Sequence, residues 1–298
     1  MENTSNKKDI IAFLSTGKLG LMVMHSLIKK GYNVKIITRD NSQKNIKELK
    51  ELGAEIYKYE LSKFYEIDKL ISENSQIYIG NMYQRNVIKK IIDLLKKNEK
   101  KISKLVFVSG ANSKEISEAH NELENFENEI MNILPMTIII KPTMIFGINK
   151  DNNIEKIFRW LKNYPVFVII GDGKTLYQPI HYFDIKNAIV QIFKINNING
   201  KKILIGGRDA LEYEEIVKII KKKINSKTII IKLPQKLLYT VSLFLNNISN
   251  LKVITEKIKN IHVHRNVNNE NAIKLLKYHP NSFEDRLDDS IKNYQNKK

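Results

Sequence analysis

Leu14-Ser15-Thr16-Gly17-Lys18-Leu19-Gly20 has the make-up of a turn that cradles phosphate. Glycine is wanted in such a turn because the backbone must pass close to a pyrophosphate. It also lets the next helix seat tightly on its strand, with its N–H groups and positive dipole end aimed at the anion. Gly17 and Gly20 supply two of the three glycines of the pattern, and Leu14 holds the first position. Arg39 lies 19 residues past Gly20 with Asp40 beside it. An arginine there suits the extra phosphate of NADP and a carboxylate suits the ribose hydroxyls of NAD. With Lys18 as a second cation, the reading is NADP(H) in preference to NAD(H). The chain has no cysteine, which excludes disulfides, thiolate metal sites and cysteine nucleophiles. His262 and His264 alternate without nearby carboxylates, so no metal site is expected.

The elements needed to hold this turn are legible around it. Residues 10–14 form a short continuous apolar run, as expected of a strand buried on both faces of a parallel sheet. Leu19, Met22, Leu27 and Ile28 recur at helical spacing up to Gly31, and residues 34–38 make a second strand. Strand, glycine turn, helix and strand are the βαβ unit that opens a dinucleotide-binding fold. The alternation continues through strands near 55–59, 76–80, 104–109 and 137–140, the last preceded by a helix over 114–134. The fold class is therefore α/β, a doubly wound parallel sheet with a smaller, mostly helical C-terminal substrate domain. The expected division is a Rossmann domain over 1–147, to which 178–205 return, and a substrate domain of 148–177 and 206–298. No internal repeat or low-complexity linker interrupts the chain.

At 298 residues, 42% hydrophobic and 28% charged, the composition is that of an ordinary globular protein. The formal charge of +18 invites a nucleic-acid or anionic-membrane partner. Only six of the 50 basic residues are arginine, however, and the lysines are spread along the chain without interleaved aromatics. That is a solvated lysine coat, not a clustered phosphate-reading patch, and no nucleic-acid partner is expected. No apolar stretch reaches the roughly 20 residues needed to span a bilayer, and the expected location is cytoplasmic. The apolar segment 233–253 reads as a lid or partner-binding helix in preference to a membrane-surface helix.

Further motifs resemble the atypical extended short-chain dehydrogenases/reductases, a group that includes NAD-dependent epimerase/dehydratase-like and NmrA-like proteins and is similar to the Rossmann-like accessory subunit of respiratory complex I. Ser15 to Gly20 is similar to the family's first turn, and Glu60-Leu61 stands where the family has an Asp-Leu pair lining the adenine. Lys141-Pro142-Thr143-Met144-Ile145-Phe146-Gly147 resembles the segment that passes the nicotinamide. Gln178-Pro179-Ile180-His181 through Asp184, and Ser282-Phe283-Glu284 with Leu287 and Ile291, resemble two later signatures. The resemblance implies cofactor contacts from Ser15, Thr16, Gly17, Lys18, Leu19, Gly20, Arg39, Glu60, Leu61, Gly80, Ser109, Pro142 and Thr143. It implies an NADP(H)-binding oxidoreductase or epimerase-like enzyme acting on a nucleotide sugar or small carbonyl compound, with a homodimer through the helix 114–134.

The same resemblance exposes a gap. Active members carry a Tyr-x-x-x-Lys pair on that helix, and those positions here hold Ala119 and Leu123. Ile116, Ala119, Leu123, Phe126 and Ile130 form one apolar stripe, the mark of core or dimer packing. The literal matches Tyr59 to Lys63 and Tyr182 to Lys186 fall outside the helix. A replacement acid would come from His120, Lys114 or Ser109, the candidate catalytic residues. The competing class is a non-catalytic dinucleotide-binding sensor or assembly/scaffold protein.

Overall fold

The computed structural model describes residues 8–38, 44–58, 64–82, 84–111, 118–148, 153–244 and 260–295. The first half alternates strand and helix: β1 (Asp9–Phe13), α1 (Lys18–Lys29), β2 (Asn33–Thr38), α2 (Lys44–Glu51), β3 (Glu55–Lys58), α3 (Phe64–Asp68), β4 (Ser75–Ile79), α4 (Arg85–Lys97), β5 (Ile102–Val108), α5 (Glu118–Ile133) and β6 (Thr137–Pro142). There follow β7 (Ile145–Phe146), α6 (Ile154–Asn163), β8 (Val166–Ile170), β9 (Leu176–Tyr177), β10 (Ile180–His181), α7 (Tyr182–Lys194) and β11 (Lys201–Ile205). The chain ends in β12 (Leu211–Glu212), α8 (Tyr213–Lys223), β13 (Ile229–Leu233), α9 (Gln235–Phe244), α10 (Glu270–Leu276) and α11 (Phe283–Gln295).

Seven strands form one sheet in the order β11-β6-β5-β4-β1-β2-β3, with every pairing parallel. The order reverses between β1 and β4, which opens a crevice at the carboxyl ends of these strands, where ligands of such sheets bind. The apolar runs serve this plan. β4 and β6 are buried along their whole length, as central strands covered on both faces must be. One face packs on α1 and α7 through Val23, Leu27, Ile185 and Ile189. The other face packs on α4 and α5 through Ile88, Ile91, Phe126 and Ile130. Lys104, buried in β5, donates to the carbonyl of Ile192 at 2.7 Å and to that of Ile195, and so ties the sheet to the end of α7.

A third apolar cluster, outside the large sheet, gathers Phe158, Phe167, Ile216, Val217, Phe283 and Leu287. The tail is mostly helical, as expected, and adds a strand that the sequence reading did not include: β13 pairs in parallel with β8, Ile229 beside Val166 and Ile231 beside Val168. A short β-branched run does not reveal by periodicity alone whether it is strand or helix. Residues 245–259, which include the rest of the apolar segment 233–253, lie outside the described residues. The third cluster is joined to the sheet at the start of α7. Asp184 accepts from Arg286 at 2.9 Å and from the side chain of Asn281 at 3.1 Å. His181 is buried, its Nδ1 accepting from the backbone N–H of Phe183 at 3.4 Å. Gly147 has φ +89°, and a side chain there would strike the His181 ring.

Candidate functional site

The turn after β1 is shaped by close backbone approach. A Cβ on Gly20 would collide with the carbonyl of Ser15, and one on Gly80, just past β4, would lie 2.8 Å from the Leu14 oxygen. Gly17 has open space around it and caps α1 without a side-chain hydrogen bond. Leu14, at the first glycine position, has φ +50°, the left-handed conformation in which glycine is ordinarily found. The turn therefore keeps the backbone shape of the motif despite the missing glycine. Ser15 is buried, and its hydroxyl has no hydrogen-bond partner among the described residues. Two glycines required by close contact, a helix N-terminus without a side-chain cap and a buried hydroxyl fit a pyrophosphate laid across the turn.

A cleft of about 1000 Å³ opens at the switch point. Leu19 of α1, Gly80, Ser109, Gly110, Leu123 and Ile145 contribute to its walls, together with the polar side chains of Asn81, Gln84, Arg85 and Glu122. Arg85, at the start of α4, donates to Glu122 of α5 at 3.0 Å. Leu123, at the position where the resemblance calls for lysine, faces the cleft as an apolar side chain.

Behind Ser109 is a group that sequence reasoning passed over. Glu127 is fully buried on α5, with Oε2 2.7 Å from Lys141 Nζ and 3.3 Å from Lys202 Nζ. Its other oxygen, Oε1, accepts the Ser109 hydroxyl proton at 2.5 Å. A buried carboxylate is tolerable only when charges and donors surround it, as two ammonium groups and a hydroxyl do here. The available signal was the position of Glu127, four residues after Leu123 and three before Ile130, a carboxylate set within the apolar stripe.

The other expected site residues are distributed as follows. Thr16 lies within the turn and Lys18 begins α1, where its side chain lines a second cavity behind that helix and not the cleft. Pro142 accepts from the N–H of Ala111 at 2.8 Å. Thr143 is buried, its N–H bonded to the Ile205 carbonyl at 2.9 Å and its hydroxyl to the carbonyl of Gln178. Both residues thus hold the segment that borders the cleft. Arg39, Asp40, Glu60, Leu61, Lys114 and the pair Tyr59 and Lys63 lie outside the described residues, and so do the side chains of Ala119 and His120. His264 Nδ1 accepts from the N–H of Leu176 at 3.0 Å, a structural use of an imidazole.

The sheet order, the glycine turn and the crevice define a Rossmann-like α/β fold. Residues 6–130 match the model of the NmrA-like family. Two curated relatives are each called NADH dehydrogenase [ubiquinone] 1 alpha subcomplex subunit 9, mitochondrial. That of Arabidopsis thaliana is 26% identical over 239 residues, 74% of this chain and 59% of the relative. That of Dictyostelium discoideum is 25% identical over 225 residues, 70% and 62% respectively. The chain thus spans about 60% of the length of these relatives. Among solved structures, UDP-glucuronic acid 4-epimerase from Bacillus cereus, in complex with UDP-glucuronic acid and NAD, superposes with a TM-score of 0.69 over 96% of this chain and 99% of that one, at 15% identity. Among the described residues, no helix is long and apolar enough to cross a membrane.

Proposed function

We propose that this protein binds a nicotinamide dinucleotide, NADP(H) in preference to NAD(H), and uses it as a structural or sensing ligand within an assembly in place of a hydride-transfer substrate. The pyrophosphate would lie on the Ser15–Gly20 turn, with Gly80, Ser109, Pro142 and Thr143 along the nicotinamide end. Arg39 and Lys18 are the proposed readers of the extra phosphate. A bound nicotinamide dinucleotide would be able to donate or accept hydride, a capacity that this reading leaves unused.

The observation that carries the non-catalytic reading is the state of Ser109. Its proton is given to a buried carboxylate behind the wall, and the neighbouring cleft residue is Leu123. A proton donor must reach the reacting atom, and neither group offers one. The names of the curated relatives, subunits of an NADH dehydrogenase subcomplex, favour membership of an assembly. A cytoplasmic site of action and a homodimer through the helix 114–134 belong to the same proposal.

A second reading rests on the size and polarity of the cleft. A volume of about 1000 Å³ bordered by Asn81, Gln84, Arg85 and Glu122 has room for a nucleotide sugar or small carbonyl compound. An oxidoreductase or epimerase using His120 or Lys114 would turn such a compound over. Calorimetric titration with NADPH and NADH, followed by a carbonyl and nucleotide-sugar panel, separates the two. We expect binding tighter for NADPH, with no turnover. Turnover abolished by His120→Ala or Lys114→Ala would establish the enzyme, and failure to bind either dinucleotide would sink both readings.

A further inference from the structure

The parallel pair β8–β13 has one face covered and one face bare. Phe167 and Ile169 of β8 are buried in the third cluster with residues of α6 and α8, whereas the alternate residues Val166 and Val168 are exposed, as are Ile229 and Ile231 beside them on β13. The solvated face of a sheet ordinarily carries polar side chains. Here it is apolar and β-branched, and Ile229 is 63% exposed. Trp160 near the end of α6 and Tyr164 just past it adjoin the start of β8. Their rings stand 5.0 Å apart, and the indole N–H donates to the Val166 carbonyl at 2.7 Å. Six of the nine large apolar or aromatic side chains exposed among the described residues are thus gathered in one place. A gathered apolar patch marks an interface.

Charge says what that interface meets. Residues 156–171 carry three cations and no carboxylate, and residues 216–255 carry eight lysines and no carboxylate. Acids from other segments answer some of them: Glu155 pairs with Arg159, Glu214 with Lys218 and Lys232, and Asp288 with Lys223. Lys162 and Lys227 are exposed and make no ion pair among the described residues. With Lys223 they line a groove of about 660 Å³ beside Tyr164 and Pro165, whose lining holds no carboxylate. A second copy of the chain would set these lysines against themselves across a two-fold axis. An anionic bilayer suits all three features, because aliphatic side chains enter the acyl boundary, Trp and Tyr rings sit at headgroup level, and lysines meet lipid phosphates.

We propose that the β8–β13 face docks on an anionic lipid bilayer, with Val166, Val168, Ile229 and Ile231 toward the acyl chains and Lys162 and Lys227 at the phosphates. The proposal goes beyond the dinucleotide reading and does not depend on it.

Trp160 is the only tryptophan of the chain, so its fluorescence reports on this face alone. The test floats the full chain with vesicles of phosphatidylcholine, with and without phosphatidylglycerol, and reads Trp160 emission with lipids brominated on their acyl chains. Flotation with the anionic vesicles, a blue shift and quenching are expected, all weakened by added salt. Lys162→Gln and Lys227→Gln should each weaken binding about fivefold, which is roughly 1 kcal/mol per lysine near an anionic surface. Ile229→Asn/Ile231→Asn should weaken it about tenfold or more and abolish quenching. Ile273→Asn, exposed on α10, which packs on β11 and α7, should bind as the wild type does. Urea unfolding checks that each variant is folded, and the lysine variants, altered only at exposed side chains, keep the test decisive if the isoleucine pair is not. Flotation without quenching of Trp160, or binding affected no more by these variants than by Ile273→Asn, would assign binding to the lysine coat as a whole and overturn the proposal. So would absence of flotation, including the case of a dimer in solution that Ile229→Asn/Ile231→Asn dissociates.

Discussion

Glu127 shows how one side chain can decide what its neighbours do. It is fully buried, and it holds Ser109, Lys141 and Lys202 in one network. Ser109 and Lys141 both belong to segments that resemble cofactor-lining motifs, yet Glu127 turns their polar ends inward. Removing one member of a buried ion pair leaves an uncompensated charge, whereas removing both charges is far less costly. Lys141→Met is therefore expected to destabilise the protein by about 3 kcal/mol, a value moderated by the remaining Lys202. The double variant Glu127→Gln/Lys141→Met should recover at least half of that loss, because the amide still accepts from Ser109. Urea unfolding of the three proteins measures this, and equal losses in single and double variants would refute the network account.

At the scale of elements, the turn between β1 and α1 separates two glycines that look alike in sequence. Gly20 sits where the helix presses on the Ser15 carbonyl, while Gly17 has open space and an extended backbone of φ −70°, ψ 161°. Gly20→Ala must push α1 off the strand, with an expected cost of about 3 kcal/mol and loss of NADPH binding. Gly17→Ala costs only a cap preference, about 1 kcal/mol. Denaturation midpoints and NADPH titrations of the two variants check the difference, and similar behaviour would contradict the geometry. The same turn explains how Leu14 can replace a glycine. The fold holds it at φ +50°, a strain of roughly 1–2 kcal/mol offset by packing of its side chain against the sheet core.

For the whole molecule, His181 couples global stability to acid. It lies where the large sheet meets the third cluster, against Phe146 and Gly147. Burial, aided by the charge of Arg286, lowers its pKa from 6.5 to about 3. The folded state thus refuses a proton that the unfolded state accepts below pH 6.5, so this contribution to stability falls with pH between 6.5 and 3. The slope approaches about 1.4 kcal/mol per pH unit. His181→Asn keeps an acceptor for the Phe183 N–H but does not titrate. Between pH 7 and 5 the wild type should lose more stability than this variant, as read from urea midpoints. Parallel losses would show that His181 is charged in the folded protein.

The sequence alone determined the βαβ opening, the parallel alternation and the glycine turn, because these follow from local periodicity and from spacing over a few residues. It also showed the loss of the Tyr-x-x-x-Lys pair, which is a matter of residue identity. It could not show that Ser109 spends its proton on Glu127, 18 residues away, or that β13 runs beside β8. Nor could it show that Tyr182 and Lys186 open onto a cavity with α1. Each of these depends on which distant segments share a face once the sheet is wound, and only close packing of the folded chain sets that. The tertiary structure therefore decided where the buried charges point, and with them the separation of the switch-point cleft from the cavity behind α1.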